Sequence, residues 1–403
     1  MARDGGGAGL GRVLGDPDLA PVLAALPQAR LVGGAVRDAL AGLPVADMDL
    51  ATPEPPEHSM RRLEAAGLRV VPTGIAHGTV TAISNHRPFE ITTLRRDVST
   101  DGRRASVAWT EDWREDAARR DFTINAMSLD RAGVLHDFFG GADDLRDGRV
   151  RFVGDAAARI AEDYLRVLRF FRFHARYGRG APDAAAAAAI AGALPGLAIL
   201  SAERVWSELK RILAAPDPGG AVVLMARLGV LAALVPEGAD PAGLLALLAR
   251  GAPADPVLRL AALLTGDAAA FGRRLRLSVA EQARLVALRA GPAPGPGEDA
   301  ALRRLLAEEE AEILIGRAWL RGGDASLRAR LAALPRPVFP LEGRDALALG
   351  AQPGPAVGAA LREVRGWWLA GGCVADAAAC RARLREALGG GRPGARPQDP
   401  AGA

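Results

Sequence analysis

The chain has 403 residues, 49% hydrophobic and 24% charged, enough to bury more than one core and to exclude a largely disordered chain. Its formal charge of +4 sets 51 basic residues against 47 acidic ones, and Lys210 is the only lysine. Arginine in that excess suits phosphate and base contact, and equally suits a GC-rich genome that favours its codons. Cys373 and Cys380, with no histidine nearby, form neither a zinc site nor a disulfide framework and fit a reducing cytoplasm. The first residues lack the apolar core of a signal peptide, and the alanine-rich run 184–200 is broken by Gly192 and Pro195, too weakly hydrophobic to span a bilayer. The expected location is the cytoplasm.

In chain order, residues 1–16 are glycine-rich and expected to be flexible, and 16–28 read as a short amphipathic helix. Leu31 and Val32 begin a strand that runs into Gly33-Gly34, followed by a helix over about 35–41 that carries Arg37. After the Gly42-Leu43-Pro44 break the chain turns extended and presents Asp47-Met48-Asp49. Residues i and i+2 of a strand share a face, so the two aspartates project together while Met48 and Leu50 turn to a core. Paired carboxylates repel unless a cation sits between them, and hard oxygen ligands suit Mg²⁺. The glycines leave bare backbone at a helix mouth that favours an anion. A lone Gly-Gly is a turn and a lone Asp-x-Asp is a chance match, but the ordered combination is the signature of the nucleotidyltransferase superfamily that includes DNA polymerase beta.

A helix over 58–66 follows, then paired strands over 68–94 with a turn at 85–88. Glu90 lies on the polar side of the last strand, either an ordinary exposed glutamate or a third carboxylate beside Asp47 and Asp49. Residues 95–120 read as a charged loop or mobile excursion around 101–104. A helix start is expected at Asp121, with Asn125 four residues on and Arg120 placed to reach a triphosphate. A hairpin over 134–139 closes the β-rich region near Val153; beyond Ala156 the pattern is helical, punctuated by Pro/Gly clusters and without a strict repeat. In 162–178, Asp163, Arg166 and Arg169 follow at helical spacing with Arg172 beyond, opposite a buried side of Leu165, Phe170 and Phe173. Taken alone, that stripe is a solvated charged face in which Asp163 pairs at i,i+3.

The motifs GGAVRD, DMDLAT, FEITTLRRDVSTDGR, ARRDFTINAMSLD, RFVGDAAARIAEDYLRVLRFFRFHARYG and SAERVWSELKRIL stand in this order between about residues 31 and 213. Together they resemble the class II (bacterial and mitochondrial) CCA-adding tRNA nucleotidyltransferases of the poly(A) polymerase/CCA enzyme family. The resemblance implies an α+β head with a mixed sheet followed by an all-α neck, body and tail. The expected bounds are head 17–153, neck 154–215, body 216–300, tail 301–388 and a disordered end over 389–403. It further implies Asp47 and Asp49 as Mg²⁺ ligands with Glu90 as the third catalytic carboxylate. Gly33, Gly34, Arg37, Arg120, Asp121 and Asn125 would serve the nucleotide, Asp163 and Arg166 would read its base, and Arg169 and Arg172 would add further contacts.

An Asp–Arg pair suits that task. CTP and ATP each offer an exocyclic amine beside a ring-nitrogen acceptor, whereas UTP and GTP set a carbonyl against the carboxylate. The substrates implied are CTP, ATP and the tRNA 3′ end, gripped also at its elbow, with no obligate protein partner. Region 97–118 resembles the segment that switches such a site from C to A. The element over 343–358 presents backbone N–H groups to phosphate or is a plain helix turn. The rival readings are a poly(A) polymerase, a CC-only or A-only enzyme, and a non-catalytic tRNA-binding module on an inactive head. A metal phosphohydrolase domain is not expected, since it needs His-Asp clusters and no histidine follows His174.

Overall fold

One seven-stranded sheet organises the first third of the molecule. The structure is a computed structural model and describes residues 5–100, 105–295 and 297–389. Its strands are β1 (Arg30–Val32), β2 (Leu50–Thr52), β3 (Arg69–Gly74), β4 (Thr79–Ser84), β5 (Arg87–Thr93), β6 (Arg95–Thr100), β7 (Ala105–Trp109), β8 (Met127–Leu129) and β9 (Leu135–Asp137). The sheet order is β3-β4-β5-β2-β1-β8-β9, with β6-β7 a separate hairpin. The sheet is mixed because β2 runs parallel to β5 while its other pairings are antiparallel. The β4–β5 turn places Asn85 and His86 at positive φ (48° and 65°), as a tight two-residue hairpin turn requires.

Helices α1 (Gly5–Leu14), α2 (Ala20–Ala25), α3 (Gly34–Leu40), α4 (Pro56–Ala65), α5 (Trp113–Ala118) and α6 (Gly141–Asp147) accompany the sheet. The helix α1 departs from the flexible N-terminus expected over 1–16. Gly9 sets α1 against α3 so closely that a Cβ there would lie 2.1 Å from the Ala39 carbonyl oxygen, and Val13 is buried. Residues 95–118 also differ from the expected loop, forming the β6–β7 hairpin and α5. The tip of that excursion, 101–104, lies outside the described residues, as do 390–403 of the expected disordered end. No helix starts at Asp121: a 3₁₀ turn, Thr123–Asn125, stands there instead.

The remainder is helical. Short α7 (Ala156–Glu162) leads into α8 (Leu165–Tyr177), then α9 (Ala184–Gly192) and α10 (Ala202–Leu213), with further helices to Gly389. On α8 the residues Leu165, Val167, Leu168, Phe170, Phe171, Phe173 and Tyr177 are buried. Phe170 stacks on Phe152 and meets Phe122, so the aromatic seam joins α8 to the isolated Phe122–Phe152 bridge beside the sheet. One large core runs from Val13 to Ile313, and smaller ones lie at 302–331 and 341–384. At the start of the helix Gly343–Ala348, the Asp345 carboxylate accepts from the Glu342 N–H at 2.9 Å, so a carboxylate already occupies the end considered for phosphate.

Candidate active site

Between the head sheet and α8 lies an open cleft of about 890 Å³, lined by ten arginines and three aspartates. Gly33, Gly34 and Asp49 stand at one part of its wall, and Asp163 and Arg166 at another. The sequence places these groups more than a hundred residues apart.

The acidic part follows from strand register. Asp47 and Asp49 lie just ahead of β2 rather than within it, yet alternation holds: Asp47 and Asp49 are exposed, Met48 and Leu50 buried. The Val32 N–H donates to the Asp49 carbonyl at 3.0 Å, pinning the segment to β1. The parallel register Leu50↔Ile91 brings Asp49 beside Glu90, whose side chain is exposed. Desolvation in the cleft raises the Asp49 carboxyl above the ordinary range, and the charges of Glu90 and Asp47 raise it further, against Arg120. Among the described residues the three acids do not close into a ready-made metal cluster.

Gly33 has φ +63° and caps α3, a conformation that favours glycine. A Cβ there would lie 2.9 Å from Nη1 of Arg120. Arg120 is steadied by Asp116 at 3.3 Å and donates to the Asn125 carbonyl. Asp116 is buried between Arg119 (2.7 Å) and Arg120, and also accepts from the Arg95 N–H at 3.3 Å. Burial would raise its carboxyl, but those guanidinium charges hold it below the usual range. Arg37 is itself buried: it donates to Asp38 and to Asn125 Oδ1 (2.6 Å) and packs over Phe173 and Tyr177. The Asn125 amide is thus used within the protein, accepting from Arg37 and donating to Asp121 at 2.9 Å.

Asp121 holds α8. It accepts from the Phe122 N–H, from Asn125 and from Arg169 (Nε at 2.7 Å, Nη2 at 2.5 Å). Burial alone would raise its carboxyl, but Arg169 and these bonds keep it below the ordinary value. Arg169 is shifted the other way: burial alone would lower it, but Asp121 raises it overall. Arg172 forms an ion pair with buried Glu208 of α10 at 3.2 Å; its guanidinium is lowered by burial, against Glu208.

Asp163 does not stand on the arginine helix. It ends α7 in extended backbone, one residue before the Tyr164 cap of α8, and does not pair with Arg166 at i,i+3. Its Oδ1 accepts from the Leu165 N–H and its Oδ2 from Arg204 of α10 at 2.7 Å. Arg166 donates through Nη1 to Glu162 and to the Arg159 carbonyl. A carboxylate has about four acceptor sites and a guanidinium five donors, so both keep capacity for a base edge.

Residues 29–151 match the family described as "Poly A polymerase head domain", and 182–240 the one described as "Probable RNA and SrmB- binding site of polymerase A". A crystal structure of the Bacillus stearothermophilus CCA-adding enzyme in complex with CTP superposes with TM-score 0.75 at 29% identity, over 93% of this chain and 98% of that one. The CCA-adding enzyme of Streptococcus sanguinis is 43% identical over 50% of this chain and 49% of its own. The mitochondrial CCA tRNA nucleotidyltransferase 1 of Danio rerio is 36% identical over 84% of this chain and 83% of its own. The chain belongs to the CCA tRNA nucleotidyltransferases. It is therefore a nucleotidyltransferase, and the family works with a divalent metal.

The donor chemistry fits such an ion, since Asp49 is held above its ordinary range partly by unrelieved like charge that a divalent cation would offset. Sequence reasoning missed Arg204 and Glu208, the α10 residues that hold Asp163 and Arg172, although both lie in the SAERVWSELKRIL motif. Asp116 was passed over inside a segment read as a loop. Tyr177 was missed too; it donates to Asp38 at 2.5 Å.

Proposed function

We propose that the chain adds C, C and A to the 3′ end of tRNA from CTP and ATP in this cleft, with Mg²⁺ on Asp47, Asp49 and Glu90. The observation that carries the proposal is that one continuous cavity is lined by Asp49 and the two glycines as well as by the Asp163–Arg166 pair. A nucleotide lying along it would set its triphosphate against Gly33, Gly34 and Arg120 and its base against Asp163 and Arg166. Bound there, the metal supplies charge neutralisation on the phosphates and a more acidic attacking hydroxyl. Asp47, Asp49 and Glu90 would hold the metal and the reacting groups at the adjoining interior strands β2 and β5. Arg120, steadied by Asp116, faces the negative charge that collects on the departing pyrophosphate as the tRNA 3′ hydroxyl attacks the α-phosphate in line.

Arg37, Asp121 and Asn125 act by orienting: Asn125 ties Arg37 to Asp121, and Asp121 fixes Arg169 on α8. Asp163 accepts the amine of cytosine or adenine, and Arg166 donates to the adjacent ring nitrogen. Head 17–153 and neck 154–215 form the catalytic part in this reading, and body 216–300 and tail 301–388 grip the tRNA elbow. Relatives of known structure include a CCA-adding enzyme complexed with tRNA, whose likeness to this chain supports the fold alone.

Cys373 and Cys380 are free thiols, which suits a reducing compartment, and among the described residues no helix is long and apolar enough to cross a membrane. The cytoplasm is the proposed location, and the mitochondrial name of the Danio rerio relative makes that organelle the alternative, to be settled by fractionation.

The test is incorporation on tRNA that ends at the discriminator base. CTP alone should give two added residues, and CTP with ATP the complete CCA end. Asp49→Ala should abolish both. Long adenosine runs from ATP alone would make the chain a poly(A) polymerase, and turnover surviving Asp49→Ala would undo the carboxylate assignment.

A further inference from the structure

Arg159, in the last turn of α7, has a side chain only 11% exposed. Its guanidinium reaches two places far apart in sequence. Nη2 donates to the backbone carbonyls of Arg119 and Arg120, the latter at 3.0 Å, in the turn that ends α5 and delivers the Arg120 side chain to Gly33. Nη1 donates to Glu162 at 2.8 Å, and the same carboxylate accepts from Arg166. The Arg159 carbonyl accepts from Arg166 Nη1 as well, at 2.7 Å. One side chain therefore bridges the turn on the triphosphate side and the carboxylate that orients the base-facing guanidinium.

Three acceptors at fixed angles require several donors in one plane. Only the guanidinium fork offers that, and a lysine ammonium could meet at most part of the set. A residue that served only to fill the α7 interior would need no such fork.

We infer that Arg159 is a positioning residue that fixes the Arg120 turn relative to Arg166, so that grip on the triphosphate and choice of base are coupled through it. The inference rests on the base-reading role proposed for Asp163 and Arg166. Moving Arg159 lets Glu162 and Arg166 swing together, so the ring-nitrogen acceptor of CTP loses its aligned donor while the mispaired carbonyl of UTP is rejected less sharply.

The experiment measures kcat and KM for CTP and UTP on tRNA lacking its CCA end, using the full chain and its Arg159→Lys, Arg159→Ala and Arg166→Ala variants. Arg159→Lys keeps the charge and loses the fork. It should cut the kcat/KM ratio of CTP over UTP by roughly 5- to 20-fold and raise the CTP KM, with kcat for CTP within about threefold. Arg159→Ala should go further in the same direction. A ratio and a KM in Arg159→Lys within about twofold of the unmodified chain would overturn the inference, as would equal losses for CTP and UTP in both Arg159 variants, the mark of a purely structural role. Arg166→Ala separates the two layers. If it relaxes the ratio and Arg159→Lys does not, the inference alone fails; if it leaves the ratio unchanged, the base-reading assignment fails and takes the inference with it.

Discussion

Replacing Asp121 with Asn tests whether the head grips the neck helix through one ion pair. Asp121 is buried, whereas about a third of the Arg169 side chain is exposed. Breaking a fully buried pair costs about 3–5 kcal/mol, and the partial rehydration open to Arg169 brings the expectation here to about 2–3 kcal/mol. Hydrogen exchange of the α8 amides reads this locally, and protection should fall by roughly 30- to 150-fold at pH 7, at about 1.4 kcal/mol per tenfold. The pH dependence has a fixed sign. The folded-state carboxyl of Asp121 lies below its unfolded value of about 3.9, so its contribution is complete well above that value and fades as pH falls through it toward the folded one. The gap between Asp121→Asn and the unmodified chain should therefore narrow below about pH 4, after correction for intrinsic exchange rates. Other acids titrate alike in both chains and cancel. A difference under about 0.5 kcal/mol at pH 7, or a gap that stays constant down to about pH 2.5, would refute the pair as a head–neck tie.

Gly33→Ala should raise the KM for CTP severalfold with a smaller change in kcat, because φ +63° with ψ −120° strains alanine by about 1–3 kcal/mol and the new Cβ displaces Arg120; an unchanged KM in steady-state kinetics would contradict that contact. Asp163→Ala should reduce discrimination of CTP over UTP by roughly 10- to 100-fold while inhibition by pyrophosphate stays within about twofold, and undiminished selectivity would remove Asp163 from base reading. Tyr177→Phe should cost about 1 kcal/mol in thermal or urea unfolding through loss of its bond to Asp38. Burial, with the Asp38 bond and against the Arg37 charge, pushes the Tyr177 hydroxyl up to about 12, so the activity–pH profile below pH 10 should be the same with and without it.

Period-two alternation around Met48 and along Phe89–Ile91 made the carboxylate face legible, because Asp49 and Glu90 are each flanked by buried apolar residues and Asp47 lies two residues before Asp49 on the same face. The buried side of α8 was legible for the matching helical reason. The hairpin β6–β7 was not, since the charged and polar run of β6 carries no apolar alternation. Helix α1 was hidden by glycines of poor helix propensity, and the close approach to Ala39 that they permit overrides it. The 3₁₀ turn at Thr123–Asn125 escaped because Asp121, which resembles a helix cap, accepts instead from Arg169 forty-eight residues on. Ion pairs across such distances leave no spacing in the sequence, which is why Arg204 and Glu208 went unseen.

Those unseen partners explain how ten arginines share one wall. Alone they would repel one another and swing freely, and a cleft that merely collected positive charge would bind any anion. Here most have a carboxylate or carbonyl assigned to them: Asp116 for Arg119 and Arg120, Asp121 for Arg169, Glu162 for Arg166, Glu208 for Arg172, Asp163 for Arg204. Asp116, Asp121 and Glu208 are buried behind the guanidinium groups they orient, so the wall keeps its positive face while each cation loses its freedom. At Asp49 the balance is reversed, with Asp47 and Glu90 gathered beside it and Arg120 the cation acting on it. A substrate that is anionic along its chain and chelates a cation at its reactive phosphate matches that sequence of charges in one orientation only. In the proposed reading the fold would set the direction of the nucleotide before the base is read, and base selection would then rest on the Asp163–Arg166 edge, whose side chains are held by Arg204 of α10 and by Arg159 and Glu162 of α7.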